Sequence, residues 1–586
     1  MLGTAAALMT EILSPFRLVR RGPLVLAWPL VLVAAIVYLW RHRPAVKVTL
    51  RRVETIIGVG IAIMASLIGY TAWLSPPNSA DAMAYHMARV VYWAQAGSVA
   101  FYPTSYLNQI MMQPLAEYCM LHSYVIFGGD RFINLVTTGT YLGSIIAVSL
   151  LAAALGLRSR AQAFAALFCA TLPNFVLQAS GAKNDGMLAL WLTCLVYFAN
   201  VGDLPFTGLS AGLALATKGT AYLFAPPMLA AALLLGNSIA WRQLAGWLAT
   251  GILLINGPQY ARNIGLSGSL LGFDSAHGDG FFRWRNEHFG WKPTVSNVLR
   301  NLSEQLGSSN SQWNQAVFDS TVSIHRALGI DPQSPDTTWR WSEYQPPRNA
   351  NHEANGPNRW ALLILLIAAI YAGLTHQRRW MLWAAGLAVA FLLFCFYLKW
   401  QPYLARLELP LFVLGAPLAA FLLDSLRPPV LAVVACVFLM NNTRPEIFEN
   451  WTRRLKGPGN LFVTSRDQCY FNDLTQFGNS PEAYFKAVNL TAQSGCSRVG
   501  IDTSRNSLEY PFQALLLERN AIVRFFHLGV ENASASYARS DHPGPCAVLC
   551  IECAGDQKKI AAYSNIGAPA TIGRFLLFLE GQGRQR

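Results

Sequence analysis

Charge is what this sequence has least of. Of its 586 residues only 13% are Asp, Glu, Lys or Arg, against about 25% in an ordinary soluble domain, while 53% are hydrophobic. A string of soluble domains is thereby excluded. Apolar runs recur along the chain and predict one polytopic membrane unit with an appendage. Acid is the scarcer sign: 31 Asp and Glu stand against 45 Lys and Arg, a net charge of +14. No module interleaving basic and aromatic residues is present, so the excess does not predict nucleic-acid binding. The basic residues gather in short loops between apolar runs, where membrane orientation places them. The first 22 residues, ending in Arg17, Arg20 and Arg21, lack the small-residue cleavage pattern of a signal peptide and run on into a second apolar stretch.

Residues 24–40 and 56–74 are the first predicted spans, each near the roughly 20 residues that cross hydrocarbon. Between them lie Arg41, Arg43, Lys47, Arg51 and Arg52, which place that loop in the cytoplasm and Pro76 onward outside it. Arg17 to Arg21 oppose this orientation, and the larger cluster decides it. Further spans at 132–155, 161–178, 186–201, 204–217, 219–236, 244–264, 359–374, 380–398, 407–424 and 428–441 bring the total to about twelve. Arg158, Arg160, Arg242, Arg378, Arg379 and Arg427 then fall on the cytoplasmic side.

Two external loops remain, 75–130 and 265–357. The first holds a short apolar piece after Gln113-Pro114 that re-enters or lies flat. The second is too long to be structureless and predicts interfacial helices that contribute to a site. The division is thus a membrane unit over 1–441 and a separate external domain over 442–586. In the tail, SRVGID (497–502) and AVLCIEC (547–553) read as buried strands, and PEAYFKAVNLTAQSG and YPFQALLLERN as helices, which predicts a small α/β domain. Ile572 to Leu579 is too short to span and reads as a core element. The tail carries no phosphate loop and no nucleophile motif. Of ten cysteines, Cys119, Cys169, Cys194, Cys395 and Cys436 lie in or beside apolar runs and read as packing residues. Cys469, Cys496, Cys546, Cys550 and Cys553 lie in the tail, where an oxidising compartment predicts disulfides with one thiol left over; the CxxC at 550–553 is read as disulfide or structural ahead of zinc or redox use.

The rest is organised around PPNSADAMAYHMARVVYWAQAG, residues 76–97, just beyond a predicted span. If it is helical, His86 and Arg89 share a face, while Asp81 and His86 are about one and a half turns apart. Val90, Val91 and Trp93 offer apolar surface to a helix lying along the bilayer interface. Asp185 follows on the same side, and Lys218, Arg262 and Arg406 sit at external ends of spans. Boundary Lys and Arg often snorkel and Asp often caps a helix. Acids and cations gathered on one side nonetheless predict an anionic substrate and a proton to be removed.

PPNSADAMAYHMARVVYWAQAGSVAFYPT, LQASGAKNDGMLALW and GLALATKG, in that order, resemble membrane glycosyltransferases of the GT-C class. The nearest groups are bacterial relatives of the protein O-mannosyltransferases and the aminoarabinose transferases of lipid A. NGPQYARNIGLSGSLLG is similar to the family's RN…G stretch, with Gly268-Ser269 where Asn-Pro is usual, and PYLARLELP matches more loosely. The resemblance implies transfer of one sugar from a polyprenyl-phosphate donor to a lipid, glycan or protein acceptor, by inverting displacement, on the periplasmic face of the inner membrane. Asp81 is then the implied catalytic base, and Asp185 orients the acceptor or braces the site. Lys218, with Arg262 and Arg406, holds the donor phosphate. Tyr85, His86, Arg89 and Lys183 line the site, Lys183 standing where a neutral residue is more usual. No cofactor is expected to be required, although relatives that bind a divalent metal keep that option open. Two rivals stand beside this reading. An oligosaccharyl transferase or ligase using a lipid-pyrophosphate donor lacks its WWDYG-like motif here. A non-enzymatic transporter of lipid-linked sugars calls for repeated halves or mid-membrane helix breaks.

Overall fold

The computed structural model describes residues 1–42, 51–236, 240–272, 283–349, 351–428, 430–473, 480–503, 508–538, 544–551 and 553–580. Arg43 and Lys47 of the first basic loop lie outside the described residues. Most of the chain is helical. Among the described residues five helices are long and apolar enough to cross a membrane: Arg21–Arg41, Arg52–Leu74, Ile133–Ala154, Arg378–Tyr397 and Val430–Phe448. Six shorter apolar helices join them, Leu2–Leu13, Asp185–Val201, Leu204–Thr217, Ala221–Leu235, Arg359–Leu374 and Leu409–Ser425. This is a multi-pass membrane protein, with fewer full-length spans among the described residues than the roughly twelve expected. One reason is visible at 161–178, where Pro173 opens a new helix and divides the expected span into Ser159–Ala170 and Pro173–Gln178. Leu26, Leu30, Ile56, Ile63, Leu366, Ile370 and Val434 point outward, as lipid-facing residues do.

Local chemistry sets the turns. Gly202, at φ 82°, ends helix Asp185–Val201, and Asp203 caps the next helix by accepting the Phe206 N–H at 3.3 Å. Helix Leu204–Thr217 then crosses helix Trp241–Ser267 with almost no gap. A Cβ at Gly208 would overlap the Trp247 carbonyl, and one at Gly212 the Gly251 carbonyl. Glycines four apart permit such close packing, the usual solution where lipid offers no hydrophobic drive.

Hydrogen bonds divide the helix ends into two sets. At one end Arg160 Nε donates to Asp424 (2.6 Å), Arg379 to the Leu155 carbonyl (2.7 Å), and Ser159 to Glu54 (3.3 Å). This is the end of the basic turns. At the other end Val19 N–H donates to Gly97 O at 3.0 Å and Ser14 meets Ser98 at 2.9 Å. Residues 14–20 therefore lie with the 75–130 loop, at the end of the bundle opposite the basic turns.

The long second loop folds into helices Trp291–Gln305 and Ser311–Ala327. The first loop carries helices Met87–Ala96 and Leu115–Phe127. Val90, Val91 and Trp93 do not face the bilayer as expected; all three are buried. Their helix packs against Leu115–Phe127, against helix Tyr510–Arg519 and against a strand of the C-terminal region. Protein, not lipid, covers that face.

The tail contains a five-stranded sheet of β1 (Arg498–Asp502), β2 (Arg524–His527), β3 (Ala547–Cys550), β4 (Pro569–Ile572) and β5 (Phe575–Leu579), in spatial order β2-β1-β3-β5-β4. The pairs of β1 with β2 and β3 are parallel, those of β5 with β3 and β4 antiparallel. Helices Pro481–Gln493 and Tyr510–Arg519 complete the α/β unit. The predicted strands and helices are present, β2 and β4 are additional, and the 572–579 run supplies the buried strand β5. Cys496 pairs with Cys546 and Cys550 with Cys553, leaving the buried Cys469 as the free thiol of the tail.

The sheet unit shares one continuous core with the first external loop, from Met83 and Trp93 through Tyr484 and Phe512 to Leu577. Polar contacts follow the same seam. Tyr470 and Tyr510 donate to Asp130 at 2.6 and 2.7 Å, and Asn78 donates to the carbonyls of Thr452 and Cys469, both at 2.8 Å.

Candidate active site

Helix Arg52–Leu74 ends at Ser75, and Pro76-Pro77 cannot continue it. The chain restarts at Asp81 as a π-turn, Ala82–His86, closed by the Met87 N–H on the Ala82 carbonyl. A turn that closes five residues on puts His86 about one turn from Asp81, not the one and a half of an α-helix. Asp81 and His86 are thereby brought toward one side, a correction that the π-turn alone explains.

Asp81 Oδ2 accepts from Lys183 Nζ at 2.9 Å and from Arg406 Nη1. Lys183 also lies 3.5 Å from Glu353 Oε1. Glu353 is fully buried and accepts from Arg453, which is itself held by Ser180 (3.0 Å), Asn78 (2.9 Å) and the Leu177 carbonyl (3.0 Å). A side chain at Gly181 would strike this guanidinium. Lys218, first residue past helix Leu204–Thr217, donates to Asp185 Oδ1 at 2.5 Å and to Asn184 Oδ1 at 3.0 Å. The Lys218 ammonium is in the field of both Arg406 and Asp81. One charge cluster thus unites Asp81, Lys183, Asp185, Lys218 and Arg406, drawn from helix ends remote in sequence.

Exposure divides the cluster in two. Asp81, Lys218 and Arg406 side chains remain 26%, 19% and 15% exposed, whereas Lys183, Asp185, Glu353 and Arg453 are at 4% or less. The buried members form a foundation; the other three face whatever enters. Burial pushes the Asp81 carboxyl up, but Arg406, Lys183 and His86 outweigh it and hold Asp81 well below the usual carboxylate range. Burial lowers Lys218, helped by Arg406 and opposed by Asp185. Burial and the Asp81 charge push the Tyr85 phenol up, so it stays a donor.

His86 and Arg89 share a face, as the helical spacing predicted, and both meet Glu117 at its Oε1: His86 Nδ1 at 2.7 Å and Arg89 Nη1 at 3.2 Å. Arg89 also lies over the Trp93 ring, 4.3 Å from its centre, and donates to the Met112 carbonyl at 3.2 Å. Arg262 takes different partners from Lys218 and Arg406. Its guanidinium forks onto Glu11 at 2.6 and 2.9 Å and reaches the Tyr118 hydroxyl at 3.0 Å.

Glu353, Arg453 and Glu117 were not anticipated. A charge inside the apolar LAEYCMLH is the signal available for Glu117, and Glu353 sits among polar neighbours in the long second loop. Arg453 lies within the 442–586 tail, away from the motifs that mark the site. Among the described residues no group of three or more His, Cys, Asp and Glu is placed to hold a metal ion. Asp81 and Asp185 each present an oxygen to lysine or arginine, and these neighbouring cations disfavour a divalent ion beside them.

No protein-family model matches the chain, and no curated protein matches it in sequence. Among solved structures, ArnT from Cupriavidus metallidurans in the apo state is similar with a TM-score of 0.50 at 12% identity, over 91% of this chain and 99% of that one. ArnT bound to undecaprenyl phosphate gives 0.49 at 13% identity over the same shares. The archaeal oligosaccharyltransferase AglB from Archaeoglobus fulgidus, in complex with an inhibitory peptide and a dolichol-phosphate, gives 0.41 at 13%, over 86% of this chain and 70% of its own. At these identities the likeness is one of fold, and the chain has the GT-C fold that its sequence motifs led us to expect.

Proposed function

We propose that this protein transfers a single sugar from a polyprenyl-phosphate donor to an acceptor hydroxyl on the extracytoplasmic side of the membrane. One observation carries the reading: a carboxylate, Asp81, and two cations, Arg406 and Lys218, meet partly exposed in one charge cluster at the end of the bundle remote from the basic turns. The GT-C fold supplies the context.

The donor phosphate is an anion that competes with Asp81 for Arg406 and with Asp185 for Lys218. As it settles on these cations, Asp81 loses part of the field that suppresses its basicity and becomes a better acceptor for the hydroxyl proton. The acceptor oxygen attacks the anomeric carbon from the face opposite the phosphate, the glycosidic C–O bond breaks toward the phosphate, and configuration inverts. Arg406 and Lys218 hold the departing negative charge, so the step requires no divalent ion. Arg262, on its own acidic partner Glu11, serves the donor only by exchanging Glu11 for phosphate.

Transfer of labelled sugar from a polyprenyl-phosphate donor tests this. Asp81→Asn is expected to lower the rate by about 10²–10⁴-fold, and Arg406→Ala by about 10²–10³-fold. Near-native rates in both would remove the proposed roles.

A further inference from the structure

Asp81 is a poor final resting place for a proton, with Lys183 and Arg406 both on one oxygen. His86 lies about one π-turn away and has the opposite character. Its ring is 1% exposed, and Nδ1 faces the Glu117 carboxylate at 2.7 Å. Arg89, itself fully buried, keeps that carboxylate ionised at 3.2 Å. An ionised carboxylate can only accept, so Nδ1 carries the hydrogen and Nε2 is left with a lone pair. Nε2 is buried without a hydrogen-bond partner among the described residues. A buried, unsatisfied ring nitrogen is costly and calls for an explanation.

We infer that His86 is a proton-relay residue for the transfer, accepting at Nε2 the proton that Asp81 takes from the acceptor hydroxyl. The inference rests on the transferase reading above. The acceptor oxygen forms its bond to the anomeric carbon, and the electron pair of the broken C–O bond leaves on the phosphate. The hydroxyl proton passes to Asp81 and on, through one bridging water, to Nε2, which no protein group engages among the described residues. Asp81 returns to the carboxylate that Lys183 and Arg406 prefer, and the new imidazolium is balanced by Glu117. Once the products leave, the proton returns by way of Asp81, the exposed end of the relay, to water in the emptied site before the next turnover. The carboxylate–imidazole pairing is that of a base held in one tautomer by an acid behind it. The charged and titratable groups around it are Glu117 and Arg89 on the two loop helices, Asp81 and Tyr85 on its own turn, and Tyr106 against Tyr85.

The test is the pH–rate profile of sugar transfer by the full-length protein, with donor KM and thermal stability measured alongside. The wild-type rate should fall on the acid side, where the accepting nitrogen already carries a proton. His86→Gln should lower kcat by about 10²-fold, leave donor KM within a few-fold, and lose that acid limb. Glu117→Gln should also lower kcat, because the carboxylate that holds the hydrogen on Nδ1 is gone. Native kcat with the limb intact in His86→Gln would overturn the relay, as would a wild-type profile with no acid limb, a result that needs no variant to fold. The relay fails alone if Asp81→Asn and Arg406→Ala are inactive while His86→Gln is native. The transferase reading fails with it if the wild-type protein transfers no sugar.

Discussion

At the scale of single residues, the strongest constraint lies behind Asp81, not at it. Arg453 is fully buried with its guanidinium spread over Glu353, Ser180, Asn78 and the Leu177 carbonyl, joining three segments far apart in the chain. Burial pushes Glu353 up, and Arg453, Lys183 and His352 outweigh it to bring it down to about 2. Removing one member of such a pair leaves an uncompensated charge. Arg453→Met is therefore expected to cost about 3–5 kcal/mol, and Arg453→Met combined with Glu353→Leu less than the single change. Thermal unfolding in detergent or nanodiscs reads both, and a single variant of native stability would contradict the assignment. These residues were hard to see in the sequence for a physical reason. Asp81, Asp185 and Lys218 stand beside apolar runs, where charge is conspicuous. Glu353 and Arg453 lie in polar stretches where charge is ordinary, and only tertiary packing buries them.

At the scale of elements, the seam between β2 and the first external loop behaves as a clasp. His527, at the end of β2, has Nδ1 on the Pro103 carbonyl (2.9 Å) and Nε2 on Glu509 (2.9 Å). Both ring nitrogens face acceptors, so the pairing is complete only for the imidazolium. Glu509 also accepts from Tyr92 at 2.9 Å and from Gln109, which donates to the Ala84 carbonyl inside the π-turn at 3.0 Å. Burial lowers His527, and Glu509 outweighs it to give a net rise. A raised value means that its stabilisation is full below the unfolded value of about 6.5 and is lost as pH climbs through the folded one. The difference in melting temperature between wild type and His527→Gln should thus shrink from acid to alkaline pH; a constant difference would contradict the clasp. Element positions were largely legible, since apolar runs and caps such as Gly202-Asp203 mark helix ends locally. The π-turn was not, because it adds one residue to a turn without a sequence signature. The buried face of Val90, Val91 and Trp93 was also hidden, because apolar surface does not say whether lipid or protein covers it.

At the scale of the whole molecule, two opposite ends follow from where charges pair. Arg160, Asp424 and Arg379 close one end of the bundle. Asp81, Lys183, Lys218 and Arg406 gather at the other, beside a loop that shares its core with the C-terminal sheet. A lipid carrier brings its phosphate to the membrane boundary, and that is the level at which these cations lie relative to the helix ends. The most direct measurement is a cryo-electron microscopy map of the protein in nanodiscs with a polyprenyl phosphate. The account predicts phosphate density bridging Arg406 and Lys218 beside Asp81. Phosphate seated at the opposite end of the bundle, or away from both side chains, would contradict it.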